Sequence, residues 1–136
     1  MTEATLEYRA LKGGELWARR EARPEPYRAS LEAQLAAPDA IVVVGTIDDV
    51  VVGYAAAAIE VLRDGFRLGR ISELFVEEPA RGVSVGEVMM DAVLDWCREQ
   101  GCGGVDARVL PGHREAKNFF ERFGLTARAI VVHRSL

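Results

Sequence analysis

Leu74-Phe75-Val76-Glu77-Glu78-Pro79-Ala80-Arg81-Gly82-Val83-Ser84-Val85-Gly86 is the stretch on which the reading of this chain turns. It passes from an apolar β-rich run, through a proline and a string of small residues, into a segment whose apolar spacing is helical. A helix start preceded by small residues offers unpaired backbone N–H groups and the positive end of a helix dipole, and together these make an anion site. Arg81 adds a full positive charge. The spacing fits neither the Gly-x-Gly-x-x-Gly dinucleotide fingerprint nor a P-loop, since no Gly-Lys-Ser/Thr follows. Taken alone, such a loop reads equally well as a solvated turn with a helix cap.

Working outward, Arg70 to Val76 predicts a strand with Ile71, Glu73 and Phe75 on one face and Ser72, Leu74 and Val76 on the other. Before it, Ile41 to Thr46 is apolar and β-branched, the pattern of a strand covered on both faces. Asp48-Asp49 turns the chain into a partner strand from Val50 to about Val61. Thr5 to Leu11 alternates loosely and predicts a first strand, and helices are expected at Glu15 to Glu21 and at about Tyr27 to Ala37. After the loop, Val85 to Gln100 is helical in period, with Val85, Met89, Val93 and Trp96 on one face and Gly101 placed to end it. Val105 to Val109 predicts a strand, Arg114 to Phe123 a helix, and Ala129 to His133 a closing strand. The order β-α-α-β-β-β-α-β-α-β implies an α/β (α+β) fold with a mixed, mostly antiparallel sheet and helices on both faces.

Composition narrows the function. A chain of 136 residues has room for one domain, since domains commonly run to about 100–200 residues. The apolar share of 49% and charged share of 28% suit a packed core rather than disorder. No apolar run approaches the ~18 residues of a membrane span, and the charged start MTEATLEYRA does not read as a signal peptide, so a cytoplasmic protein without a membrane partner is expected. A net charge of −4 argues against a nucleic-acid binder. Two cysteines, Cys97 and Cys102, and two histidines, His113 and His133, make no metal cluster by spacing.

The loop is also where a resemblance enters. Pro79-Ala80-Arg81-Gly82-Val83-Ser84-Val85-Gly86 resembles the acetyl-coenzyme A loop of the GCN5-related N-acetyltransferases (GNAT), Arg/Gln-x-x-Gly-x-Gly/Ala, with Ser84 in place of the middle glycine. Ala116-Lys117-Asn118-Phe119-Phe120-Glu121-Arg122-Phe123-Gly124-Leu125 is similar to that family's late helix, Ala-x-x-Phe-Tyr-Glu-x-x-Gly-Phe, and Val52-Gly53-Tyr54 to its hairpin strand. The likeness spans essentially the whole chain. It implies that Arg81, Gly82, Val83, Ser84, Val85 and Gly86 hold the pyrophosphate of acetyl-CoA. It further implies that the pantetheine arm lies between splayed strands, bonding to the backbone near Phe75 and Val76. At Ser84 the Cβ crowds the phosphate unless φ stays negative, while the hydroxyl offers one more bond.

Acetyl transfer to an amine needs a free lone pair on nitrogen and a proton for the departing thiolate. Glu73, on the strand entering the loop, is the candidate base; its plain alternative is a strand carboxylate that faces solvent or pairs an arginine such as Arg70. The family's proton donor is a tyrosine where this chain has Phe120, which has no proton to give. His113 is a candidate coenzyme contact or acid, and equally a helix N-cap. Trp17, Tyr27 and Tyr54 are expected to border an acceptor pocket or to pack in the core, and Arg19, Arg20 and Arg23 to form a solvated helix face.

Three functions remain open on this reading. One is an N-acetyltransferase acting on a primary amine of a small molecule or peptide, another a weak or inactive acyl-CoA-binding domain, argued from Phe120 and Ser84. The third is an interaction module using a sheet edge. A homodimer through the apolar closing segment Ala129 to Leu136 is a further expectation.

Overall fold

The computed structural model describes residues 2–82 and 84–136. Three helices come first, α1 (Thr2–Arg9), α2 (Gly14–Arg20) and α3 (Tyr27–Ala36), followed by a meander of β1 (Ala40–Ile47), β2 (Val50–Val61) and β3 (Arg67–Val76). A 3-10 turn at Glu78–Ala80 leads to α4 (Val85–Glu99), β4 (Gly104–Ala107) and α5 (Arg114–Arg122). The sheet runs β1-β2-β3-β4, antiparallel through the meander and parallel between β3 and β4. This is the mixed, mostly antiparallel α+β sheet expected from the sequence. Among the described residues no helix is long and apolar enough to cross a membrane.

The core lies between α4 and one face of the sheet. Met89, Val93 and Cys97, spaced four apart on α4, are each at most 2% exposed and pack on Ala55, Ala57 and Ile71. Burying a side chain of this size contributes about 1.5–3 kcal/mol. Two glycines let the helix come close: a Cβ on Gly45 would stand 2.3 Å from Val85 Cγ1, and one on Gly53 would stand 3.1 Å from Met89 Cε. The β1–β2 turn uses Asp48 and Asp49 at φ 49° and 64°, the left-handed pair that a two-residue hairpin requires and that aspartate tolerates.

A bulge refines the faces of β3. Ala56 pairs with Glu73 and Ala57 with Ile71, which leaves Ser72 unmatched. The extra residue turns Ile71 toward α4 while Glu73 and Phe75 stay on the opposite face with Tyr54. Strict alternation, which put Ile71 with Glu73, fails there.

Three other expectations are corrected. Residues 5–11 do not form a strand: residues 5–9 belong to α1 and 10–11 to the turn after it, with Ala4 buried, Tyr8 four residues on, and Glu3 in the first turn and Arg9 in the last, both favourable to the helix dipole. The closing strand is absent. Leu125 packs against the core and Arg128 Nε donates to Asp106 Oδ1 at 2.8 Å, but the chain beyond forms no strand. Its Ile130, Val131 and Val132 are 85%, 75% and 89% exposed. Lastly, β1 is covered over only part of its length: it packs against α3 and α4 and residues 40–43 are half-buried, but Val44, Thr46 and Ile47 are exposed.

Candidate active site

The parallel pairing of β3 and β4 is short. It runs from Leu68 opposite Gly104 to Ile71 opposite Ala107, so residues 72–76 continue without a β4 neighbour. A cavity of about 230 Å³ opens at this end of the sheet, lined by Phe75, Val76, Arg81, Ser84, Gly86 and Phe120 among others. Its rim includes the start of α4. The first bond back to the pre-helix residue runs from Val88 N–H to the Ser84 carbonyl, 3.1 Å, so the N–H groups of the first helical turn have no acceptor within the helix.

Ser84 adopts the left-handed conformation, φ 64° and ψ 3°, and its side chain makes no capping bond. A non-glycine residue there costs about 1–2 kcal/mol. Gly82 is left-handed too, at φ 88°, with open space where a Cβ would be. Gly86 is needed for a close approach, since a Cβ there would meet the Phe119 ring at 3.2 Å. Val83 lies outside the described residues.

Arg81 is held on three sides. Its Nε donates to the Val76 carbonyl at 2.8 Å, its Nη2 pairs with Glu7 at 2.8 Å, and its guanidinium carbon lies 5.5 Å from the centre of the Phe75 ring. The charge thus sits against the strand end and beside the cavity, already paired with Glu7 and with Glu115 at 3.9 Å, so an incoming anion would have to share it.

A second, smaller cavity lies on the Glu73 face of the sheet, lined by Tyr8, Trp17, Tyr27, Tyr54, Glu73 and Phe75 among others. The three aromatic residues expected to border an acceptor pocket therefore do come together. Glu73 is not paired with Arg70. Its Oε1 accepts from Arg23, with Nε at 2.8 Å and Nη2 closer still, and its Oε2 accepts from the Tyr54 hydroxyl at 2.9 Å. Arg23 also donates to Ser30 and Gln34. This corrects the expectation of a solvated arginine face for Arg23 alone, whose side chain is 7% exposed; Arg19 and Arg20 are exposed as expected. Pro24 follows Arg23, and α2 stops at Arg20, so Arg23 leaves the helix and turns inward. A buried pair of this kind is stable only with its remaining donors satisfied, and Ser30 and Gln34 supply that.

Burial, and then the charge of Glu73, raise the Tyr54 hydroxyl well above the ordinary tyrosine range. Tyr8 is raised as well, by burial first and then by Glu7 and Glu73, with Arg81 opposing. Both are therefore neutral phenols at neutral pH.

Phe120 is 8% exposed, packs edge-to-face on Phe119 and belongs to the core cluster. His113 stands at the N-cap position of α5 without a side-chain capping bond. Its Nδ1 is buried with no partner among the described residues, and its Nε2 lies 4.0 Å from Glu7 Oε1. Cys97 is buried and its thiol is pushed up to about 11, by burial first and then by Cys102. Among the described residues no group of three or more metal-ligating side chains converges. Sequence reasoning missed Glu7, Tyr8 and Arg23. The i,i+4 spacing of Ala4 and Tyr8, and the proline directly after Arg23, were the available signals.

The sequence profile of the acetyltransferase (GNAT) family matches residues 8–125. A comparison with curated proteins gives no match. Among solved structures, AAC(6')-Iy in complex with a CoA-based bisubstrate analogue is 19% identical, with a TM-score of 0.70 over 98% of this chain and 92% of that one. A tetramutant of the BH1408 protein from Bacillus halodurans is 16% identical, with a TM-score of 0.80 over 99% and 88%. A protein from Pyrococcus furiosus described as a putative acetyl transferase is 19% identical, with a TM-score of 0.67 over 99% and 93%. At these identities the likeness is one of fold.

Proposed function

The chain belongs to the acetyltransferase (GNAT) family, and from that premise we propose that it transfers an acetyl group from acetyl-CoA to a primary amine of a small molecule or peptide, by direct attack within a ternary complex. The observation that carries this reading is that two cavities share Tyr8, Leu74 and Phe75 in their walls, one of about 230 Å³ running under the loop to the α4 start, the other, about 20 Å³ and so the size of a single water, against Glu73. A coenzyme in the first would face an amine that enters on the Glu73 side, across the end of β3, once the second cavity widens to admit it. Support for such an arrangement in the fold comes from AAC(6')-Iy, which is similar in structure and holds a bisubstrate analogue built on CoA.

In this reading the N–H groups of Val85 and Gly86, with Ser84, Gly82 and Val83 of the loop, receive the pyrophosphate, and Arg81 supplies the compensating charge. The backbone of Phe75 and Val76 borders the pantetheine arm where β4 has diverged. Glu73, fixed by Arg23 and Tyr54, takes the ammonium proton through a water rather than by swinging to the amine, since its carboxylate keeps lone pairs free. The subunit pairs with a second copy through residues 129–136.

Incubation with acetyl-CoA and a panel of amines, following free thiol, tests the reading. Thiol release that depends on an amine supports it. Calorimetric binding of coenzyme with no release on any amine would instead favour an acyl-CoA-binding domain without chemistry, the alternative to which Phe120 in the core and the pairing of Glu73 with Arg23 point. Glu73→Gln is expected to lower turnover by about 10²-fold or more while leaving coenzyme affinity within twofold. Unchanged turnover at saturating amine would remove Glu73 from the mechanism.

A further inference from the structure

Phe120 leaves the late helix without a proton donor, yet the departing thiolate of an acetyl transfer must acquire a proton. Three residues line both cavities: Tyr8, Leu74 and Phe75. Of these only Tyr8 carries a proton on a heteroatom of its side chain. Its ring is held from two sides, stacked on Trp17 at 5.0 Å and 22° and meeting His113 edge-on at 5.2 Å and 83°.

The other two tyrosine hydroxyls are engaged, Tyr27 with Thr5 at 3.4 Å and Tyr54 with Glu73 at 2.9 Å. The Tyr8 hydroxyl has no hydrogen-bond partner among the described residues. The hydroxyl is not one of the polar atoms buried without a partner among the described residues, so it stays open to whatever occupies the two cavities it borders. A ligand atom there would find a donor that no protein group has claimed.

We propose that Tyr8 is a catalytic residue, the group that protonates the coenzyme sulfur as the thioester breaks. The inference rests on the acetyl-transfer reading above. The lone pair of the acceptor nitrogen adds to the thioester carbon, and the C–S bond then breaks with its electron pair going to sulfur. The Tyr8 O–H proton passes to that sulfur, and the phenolate takes up the proton that the acceptor nitrogen sheds. Amine and thioester become amide and thiol, and Tyr8 returns to its starting state. The raised proton affinity of Tyr8 keeps the hydroxyl in its donating form before reaction, and the joint influence of Glu73 and Arg81 at that group agrees with its place between the two cavities.

The test compares wild type with Tyr8→Phe, which keeps the stacked ring and removes only the hydroxyl. Turnover is expected to fall about 10²-fold or more, with coenzyme affinity by calorimetry within twofold. Equal turnover would overturn the proposal. A second measurement does not need turnover: the ultraviolet titration of the free thiol of bound coenzyme A. The Tyr8 hydroxyl donating to sulfur favours the thiolate, so the midpoint in Tyr8→Phe is expected to move up in pH. An unmoved midpoint would overturn the contact. A wild type that shows this contact but acetylates no amine sinks the acetyl-transfer reading while the Tyr8–sulfur contact stands, and a protein that binds no coenzyme sinks both.

Discussion

Ser84 concentrates the local conflict of this site in one residue. Its backbone is left-handed at φ 64°, its side chain caps nothing, and it stands immediately before the helix whose first N–H groups border the larger cavity. An L-residue with a Cβ adopts this conformation at a cost of about 1–2 kcal/mol, and glycine adopts it freely. The sequence could say only that a negative φ would keep the Cβ clear of a phosphate; the positive φ found here means that the Cβ is carried along with a strained backbone. Ser84→Gly is therefore expected to stabilise the fold by up to about 1 kcal/mol, less the greater entropy glycine gives the unfolded chain. The same change should tighten coenzyme binding. Urea denaturation and calorimetry check the two effects, and a variant that binds more weakly would show that the hydroxyl, not the backbone, matters to the ligand.

At the scale of elements, the approach of α4 to the meander decides where the anion site stands. Gly45 on β1 lies under the first turn of α4, and a Cβ there would fall 2.3 Å from Val85 Cγ1 and 3.1 Å from Met89 Sδ. Gly45→Ala must push that turn outward, at a cost of about 1–3 kcal/mol of stability, and coenzyme affinity should fall with it because Val85 and Gly86 move. Denaturation midpoints and calorimetry on the same variant test both, and an unchanged affinity would mean that the ligand does not use the start of α4. Much of this was legible beforehand. The meander, the loop and the amphipathic α4 follow from period, turn residues and proline positions, which are local signals. What was not legible depends on contacts distant in sequence. The bulge at Ser72 arises from pairing with Ala56 and Ala57, and nothing within Arg70 to Val76 announces it. Arg23 reads as one more surface charge until Glu73, fifty residues on, becomes its partner. Residues 5–11 have short apolar spacings that serve a strand or a helix, and the helix is the form found, with α1 packed on α2.

For the whole molecule, the segment after α5 is the part that a single chain leaves unfinished. Ile130, Val131 and Val132 are almost fully exposed, and among the described residues 129–136 no hydrogen bond to the rest of the chain is made. Arg128 meanwhile ties the segment to Asp106, whose carboxyl it holds below the usual aspartate range, so the exposed run begins beside β4, the short strand at the sheet edge. In the proposed homodimer a β-branched run and a free edge would satisfy each other between two copies, each donating its segment to the partner in a closed twofold pair. Light scattering is expected to give a dimer at micromolar concentration. Val131→Pro removes a backbone donor from the segment and should yield a monomer. Because residue 131 makes no hydrogen bond among the described residues, the variant's secondary structure by circular dichroism and its coenzyme affinity should match those of wild type. A variant that remains dimeric would place the interface elsewhere on the surface, and a wild type that is monomeric at all concentrations would mean that the segment is tolerated bare.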